Sequence, residues 1–147
     1  PYALNEVAIL KKDTSSMLHV VTAINGQHLA VYRADGLIVS TPTGSTGYNL
    51  SVGGPILQPS TPALVIVPIA PHSLTMRPVV IDDRSTITTT TDTRADSYLL
   101  SLDGRNTPLP ADSSLTIHRA PFVPKVVHLT RDYTFVDTLH SKLHWGS

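Results

Sequence analysis

One stretch determines the fold, Asp35-Gly36-Leu37-Ile38-Val39-Ser40-Thr41-Pro42-Thr43-Gly44-Ser45-Thr46-Gly47-Tyr48-Asn49-Leu50-Ser51-Val52-Gly53-Gly54-Pro55, and the rest of the chain is organised around it. Its apolar run, Leu37 to Val39, predicts a buried strand. Ser40 to Thr46 carries no charge and is made of Ser, Thr, Pro and Gly. Gly53-Gly54-Pro55 is typical of a helix end. The stretch therefore predicts a strand, a glycine-rich loop and a short helix, an arrangement that suits an anionic ligand such as phosphate.

The composition bounds the possible classes of protein. At 147 residues with 41% apolar content, the chain is expected to form a single domain, residues 1–147, with a real core. Its 11 basic residues balance its 11 acidic residues, so we expect no nucleic-acid partner, and low charge density favours self-association. The absence of Cys fits a cytoplasmic protein, and no apolar run is long enough to predict a membrane span.

Short apolar or β-branched runs recur along the chain with little helix between them. Asn25-Gly26 separates two of these runs, which is a strong hairpin signal. Pro68 suggests a strand end or an edge. The pattern predicts a mainly β, multi-stranded sandwich. The predicted strands are Glu6–Leu10, Met17–Ile24, Gln27–Tyr32, Leu37–Ser40, Leu64–Ile69, Val79–Ile81, Ser85–Thr91, Ser97–Leu102, Leu115–His118 and Val126–Leu129.

The C-terminal segment follows a helical pattern instead. Between Asp132 and His144, Val136, Leu139 and Leu143 fall at helical spacing. We expect an amphipathic helix with Thr130 or Asp132 as its N-cap. Its apolar stripe is expected to pack on this domain's own sheet or on a preceding domain.

Several motifs that carry chemistry are absent from the sequence. The loop is neither a Walker A motif nor a GxGxxG fingerprint, and no Gly-x-Ser-x-Gly supports a hydrolase. Only His140 and His144 have helical i, i+4 spacing, and no Cys or His cluster would complete a zinc site, so no protein-held metal is predicted.

The order of residues in the loop is more specific than its composition. Residues 35–55 resemble the glycine-rich segment of NAD kinases, in which Gly47 stands where family members commonly have Ala. The other motifs that look like the family are Asn5-Glu6, Pro71-His72-Ser73-Leu74 with Arg77-Pro78, and Thr138-Leu139 with Lys142-Leu143 before Trp145-Gly146. The resemblance covers essentially the whole chain. It implies the fold of an NAD kinase C-terminal domain, with a short helix after the loop.

The resemblance also implies a binding role for particular residues. Asn5 and Glu6 would contact ribose and adenine, Asp35 an adenine amino group, and Tyr48 an adenine ring. From the residues alone, the simpler explanations are a turn cap for Asp35, core packing for Tyr48 and a turn histidine for His72. The implied binding residues are Asn5, Glu6, Arg33, Asp35, Thr43, Thr46, Gly47, Tyr48, Ser51 and His72.

NAD kinases transfer a phosphoryl group from ATP, or from polyphosphate, to the 2′-hydroxyl of the adenosine ribose of NAD with the help of Mg²⁺ or another divalent cation. Their catalytic Asp lies in a GGDGT motif of an N-terminal domain, and no Gly-Gly-Asp occurs here. We therefore expect a C-terminal domain that binds NAD, partners an N-terminal domain of the same enzyme, forms a homodimer or homotetramer, and is inactive alone, with no catalytic residue of its own.

Two alternatives stay open at this stage. One is a non-catalytic oligomerisation scaffold. The other is a diacylglycerol- or sphingosine-type lipid kinase, a related fold that uses an Asp-Gly pair near Asp103-Gly104. In this chain Arg105 follows that pair where the lipid kinases would have Glu, which counts against the lipid reading.

Overall fold

The chain forms two stacked antiparallel sheets. The computed structural model describes residues 1–14, 16–92 and 94–146. Within them, the six-stranded sheet has the order β6-β5-β4-β1-β8-β9 and the four-stranded sheet the order β10-β7-β2-β3. The strands are β1 Glu6–Lys11, β2 Leu18–Ile24, β3 Gln27–Ala34, β4 Gly36–Ser40, β5 Ala63–Ile69, β6 Val79–Asp82, β7 Ile87–Asp92, β8 Ser97–Leu102, β9 Arg105–Pro110 and β10 Ser114–Ile117. The predicted mainly β sandwich is confirmed.

The core lies between the two sheets. Inward side chains such as Ile9 and Ile66 of the six-stranded sheet meet Val20 and Ile87 of the other, and all four are almost fully buried. Alternate residues of a strand point to opposite faces, so this core uses every second position.

The outer face of the six-stranded sheet is also covered near its middle. Ile38 and Val65 pack there with Val52 and Leu57, which lie in the segment that follows the glycine-rich loop. The strand β4 is thus buried on both faces, as its continuous apolar run predicts.

Local signals in the sequence agree with several observed features. Asn25 and Gly26 take φ of 50° and 80° and join β2 to β3. Thr43–Thr46 forms a 3₁₀ turn and Tyr48–Ser51 a single helical turn, α1, which confirms the predicted short helix. Pro68 lies beyond the Ala63–Ile66 segment that pairs with β6, so its missing N–H is tolerated near the strand end.

Two strand assignments differ from the sequence prediction. The predicted strand Val126–Leu129 is wrong: these residues form no strand, and Leu129 is 96% exposed. Conversely, β9 was not predicted, because Pro108 and Pro110 disfavour a strand. It pairs only with β8 and lies at the edge of its sheet, where prolines are tolerated.

The C-terminal helix, α2, spans Phe135–Leu143. Its N-cap is Thr134, not Thr130 or Asp132, because Thr134 and Asp137 form a reciprocal capping box. None of its residues is buried, and Phe135, Leu139 and Leu143 are half-buried, so its apolar stripe is not part of the core between the sheets; packing on a preceding domain, the other partner expected for it, stays a prediction. No helix within the described ranges is long and apolar enough to cross a membrane.

Candidate functional site

The glycine-rich loop and the Asn5-Glu6 motif meet at one end of the six-stranded sheet. Glu6 at the head of β1 pairs with Ser40 at the end of β4, and Val7 pairs with Leu102 at the end of β8. This antiparallel register brings two motifs that lie far apart in the sequence to the same end of the sheet. We call this end the site edge, because it runs across the strand ends and not along an outer strand. The loop leaves β4 at this edge.

Thr41 joins the loop to the Asn5 segment through hydrogen bonds. Its N–H donates to the Asn5 carbonyl at 2.9 Å. Its hydroxyl donates to the Leu4 carbonyl at 2.6 Å and accepts from the Gly44 N–H at 3.1 Å. One threonine thus fixes both the start of the loop and the chain segment beside it.

Gly44 brings the backbone of the loop into direct contact with the backbone of Asn5. A Cβ at position 44 would lie 2.0 Å from the Asn5 carbonyl oxygen and 2.7 Å from its Cα. Side chains do not fit at such distances, so this approach requires glycine. Gly47 is different: a Cβ there would lie 3.3 Å from the Gly44 oxygen and 3.7 Å from Oε2 of Glu6.

Two buried polar side chains hold the far part of the loop. The Ser45 hydroxyl donates to the Pro42 carbonyl at 2.7 Å and accepts from the Leu57 N–H at 2.9 Å. The Asn49 amide donates to the carbonyls of Ser45 at 2.8 Å and of Pro55 at 2.9 Å. These bonds tie the loop and α1 to the Gly53-Gly54-Pro55 turn.

Several backbone donors of the loop face inward. The N–H groups of Ser45 and Gly47 donate to the carbonyls of Pro42 and Gly44, and the Gly44 N–H donates to Thr41. The expectation that the loop directs its N–H groups at an anion is therefore wrong for these three.

Predicted binding residues provide side chains at the surface of this edge. Thr43, Tyr48 and Ser51 are exposed, and Thr46 is half-buried. Tyr48 is 38% exposed, which argues against the alternative that it is a core residue. The predicted residues that meet at this edge are Asn5, Glu6, Thr43, Thr46, Gly47, Tyr48 and Ser51.

The carboxylates at this edge have shifted pKa values. Burial, with a smaller effect of the nearby Asp103 charge, raises the pKa of Glu6 above its usual value. For Asp103, burial alone would raise the pKa. The N–H groups of Leu4, Glu6 and Asn5, with the charge of Arg105, outweigh burial and lower the pKa of Asp103.

The other three predicted residues lie at the opposite end of β4. β4 rises by about 14 Å from Gly36 to Ser40. At the Gly36 end, Oδ1 of Asp35 forms an ion pair with the Lys11 ammonium, with an N–O distance of 2.9 Å. Arg33 and His72 line a surface pocket of about 260 Å³, and the His72 N–H donates to the Arg33 carbonyl at 2.8 Å.

Three residues that build the site were not assigned these roles from the sequence. Thr41 is marked only by a hydroxyl three residues before a loop glycine, a common turn pattern. Nothing in the residues next to Asn49 in the sequence indicates that its side chain is buried and bonded to the loop. Asp103 has a turn signal, but its contacts with Leu4, Asn5 and Glu6 join residues 97 to 99 positions apart.

No group of three or more His, Cys, Asp or Glu side chains in the described ranges is placed to hold a metal ion. We therefore assign no metal ligands to this chain.

The sequence matches a known family over most of its length. Residues 4–129 match the family described as ATP-NAD kinase C-terminal domain. Among similar proteins, a protein named NAD kinase from Bacteroides fragilis is 51% identical over 147 residues, covering 100% of this chain and 50% of that protein. One from Porphyromonas gingivalis is 50% identical over 146 residues, covering 99% and 50% respectively. The chain thus spans about half the length of the curated relatives it matches.

Two solved structures share the fold. Yeast NADH kinase complexed with NADH superposes with a TM-score of 0.87 at 24% identity, covering 99% of this chain and 45% of that one. An NAD kinase from Archaeoglobus fulgidus in complex with ATP gives a TM-score of 0.74 at 32% identity, covering 82% and 46%. The family match and the relatives named NAD kinase favour the NAD kinase resemblance over the lipid-kinase alternative.

Proposed function

Because the chain belongs to the ATP-NAD kinase C-terminal domain family, we propose that it is the dinucleotide-binding domain of an NAD kinase. The whole enzyme would move the terminal phosphoryl group of ATP, or one of polyphosphate, to the 2′-hydroxyl of the adenosine ribose of NAD. The oxygen of that hydroxyl forms the new P–O bond and loses its proton to the enzyme's catalytic base, and ADP, or the shortened polyphosphate, leaves. Such transfer depends on placing the acceptor hydroxyl in line with the phosphate.

The meeting of the Asn5-Glu6 motif with the glycine-rich loop is the observation that carries this proposal. The Gly44 contact and the Thr41 hydrogen bonds bring the two motifs together. Their convergence supports a common ligand.

The polar and aromatic groups at this edge suit an adenosine. The Asn5 amide can both donate to and accept from a ribose, and the Glu6 carboxylate can accept from a hydroxyl. The exposed Tyr48 ring offers a face on which an adenine can stack. The Thr43, Thr46 and Ser51 hydroxyls would bind the remaining polar groups.

The second group of residues suggests a role for a neighbouring chain. Arg33, Asp35 and His72 lie about 14 Å along β4 from the loop, at the other end of that strand. We propose that the chain forms a homodimer or homotetramer in which these residues reach the dinucleotide of an adjacent protomer. Lys11 already holds the Asp35 carboxylate, so an adenine amine would share it.

The catalytic base is assigned to a part of the enzyme outside this chain, by resemblance to the family's GGDGT motif. We assign Mg²⁺ no step here, since the described residues include no suitable ligand cluster. The isolated chain should therefore bind NAD without phosphorylating it. Production of NADP by the isolated chain would contradict this assignment.

Calorimetric titration of the chain with NAD tests the proposal. Tyr48→Ala and Asn5→Ala should each weaken binding, because each removes a side chain that the proposal places on the ligand. Tyr133→Ala and Asn106→Ala are matched controls, since both residues are exposed elsewhere. If the wild-type chain does not bind NAD, or if the site variants bind as the controls do, the site assignment is wrong. An oligomer that binds no NAD would favour the scaffold alternative.

A further inference from the structure

Asp103 lies in the tight turn between β8 and β9, at the same sheet edge as the candidate site. Asp103 and Gly104 have φ of 50° and 83°, and the flanking residues Leu102 and Arg105 pair with each other. Two successive positive φ values are typical of a two-residue hairpin turn, in which Asp is a favoured residue. The turn alone thus explains an Asp at this position, but not the direction of its carboxylate.

The Asp103 carboxylate binds the backbone of the segment that leads into β1. Its Oδ2 accepts from the Leu4 N–H at 2.6 Å, and its Oδ1 accepts from the N–H groups of Asn5 at 2.8 Å and Glu6 at 3.0 Å. The Asp103 N–H donates back to the Glu6 carbonyl at 3.2 Å. Hydrogen bonds to a charged acceptor are stronger than neutral ones, and three at one carboxylate fix both position and orientation.

The neighbouring Arg105 forms a further hydrogen bond to the same N-terminal segment. Its guanidinium donates to the Tyr2 carbonyl at 2.6 Å and to the Leu102 carbonyl at 3.0 Å. Residues 2 to 6 are therefore held by the β8–β9 turn through backbone atoms. None of these bonds uses the side chain of Asn5 or of Glu6.

The glycine-rich loop approaches the same segment through other atoms. The Asn5 carbonyl accepts from the Thr41 N–H at 2.9 Å, whereas the Asn5 N–H donates to Asp103. The Gly44 contact also depends on where the Asn5 backbone lies. Asp103 thus sets the position of the surface on which the loop rests.

We infer that Asp103 is a positioning residue of the candidate site: through the backbone of Leu4, Asn5 and Glu6 it fixes the two binding side chains and the loop relative to each other. This inference rests on the proposed function for its effect on NAD binding. It needs no contact between Asp103 and the ligand. The Asp103-Gly104 pair would then affect the ligand only through the backbone of residues 4 to 6.

Two measurements on the same variants test the inference. In Asp103→Ala, we expect NAD affinity measured by calorimetry to fall about tenfold or more, because the binding groups lose their fixed geometry. Amide hydrogen exchange of Thr41 and Gly44 should become about tenfold faster. Asp103→Asn, which keeps one carbonyl oxygen, should be intermediate in both.

Asp82→Ala is the matched control. Asp82 is also an aspartate whose carboxylate accepts a backbone N–H, from Arg84 at 2.8 Å, but it is the last residue of β6. It should leave NAD affinity and loop exchange unchanged.

The two measurements separate the inference from the function on which it rests. Unchanged loop exchange in a folded Asp103→Ala would overturn the inference whether or not NAD binds. Faster exchange with undiminished NAD affinity would also overturn it, since the loop would move without consequence for the ligand. If the wild-type chain fails to bind NAD, the proposed function fails, and exchange alone then decides whether Asp103 positions the loop.

Discussion

Replacing Gly44 with Ala tests the contact on which the site is built. The added Cβ would lie 2.7 Å from the Asn5 Cα, about 0.8 Å inside the usual carbon–carbon separation of about 3.5 Å, and only 2.0 Å from the Asn5 oxygen. The two segments would have to separate by about 1 Å. That movement would stretch the 2.9 Å bond from the Thr41 N–H to the Asn5 carbonyl beyond hydrogen-bonding distance.

The cost of this movement follows from its two parts. Overpacking costs about 1–3 kcal/mol, and each of roughly two lost hydrogen bonds adds about 1 kcal/mol. We therefore expect the free energy of unfolding to fall by about 3–5 kcal/mol, out of a typical total of about 5–15 kcal/mol. The melting temperature should fall by roughly 10 °C.

Urea unfolding followed by circular dichroism measures this change, with Gly47→Ala as the control three positions along the same loop. A Cβ at position 47 meets only the Gly44 oxygen at 3.3 Å and Oε2 of Glu6 at 3.7 Å, so the expected cost is below about 1 kcal/mol. Equal stability of the two variants, or a loss below about 1 kcal/mol for Gly44→Ala, would refute the reasoning.

Three further substitutions test other features. Glu6→Gln should stabilise the chain at neutral pH, because burial raises the pKa of Glu6 above its usual value of 4.5. A raised pKa means that stability present below pH 4.5 is lost as the pH rises through the folded-state pKa. The melting temperatures of the wild type and the variant should converge near pH 4, and a difference that does not change with pH would contradict the assignment. Asn49→Ala should cost about 2–4 kcal/mol in urea unfolding, because two buried carbonyls lose their donor, whereas an exposed control, Asn106→Ala, should cost almost nothing. Thr134→Ala should lower the helix signal of α2 in circular dichroism, since a lost N-cap costs about 1 kcal/mol; an unchanged signal would show that α2 is held by something other than its cap.

The sequence predicts those parts of the molecule that depend on local chemistry. The buried strand β4, the Asn25-Gly26 hairpin and the short helix after the loop each follow from a few adjacent residues. β9 was missed because what makes its two prolines acceptable is its place at a sheet edge, which only the assembled sheet decides. Val126–Leu129 has the composition of a strand but no partner strand.

For the candidate site, the sequence suggests which residues take part but not how they are arranged. The Asn5-Glu6 motif and the loop are recognisable by resemblance. Their contact depends on the register of β1 with β4, and the hydrogen bonds of Asp103 with Leu4, Asn5 and Glu6 join residues 97 to 99 positions apart. The separation of Arg33, Asp35 and His72 from the loop likewise follows from the direction of β4.

The contact between Gly44 and Asn5 joins main chain to main chain. The backbone atoms therefore hold this end of the sheet together, while the side chains at positions 5 and 6 are left out of that role. The bonds that hold the Asn5 segment use the N–H groups and carbonyls that nearly every residue has. Substituting the side chain at position 5 or 6 therefore leaves these backbone bonds in place. The side chains at these two positions can therefore vary independently of the framework, whereas any side chain at position 44 would force the two segments apart.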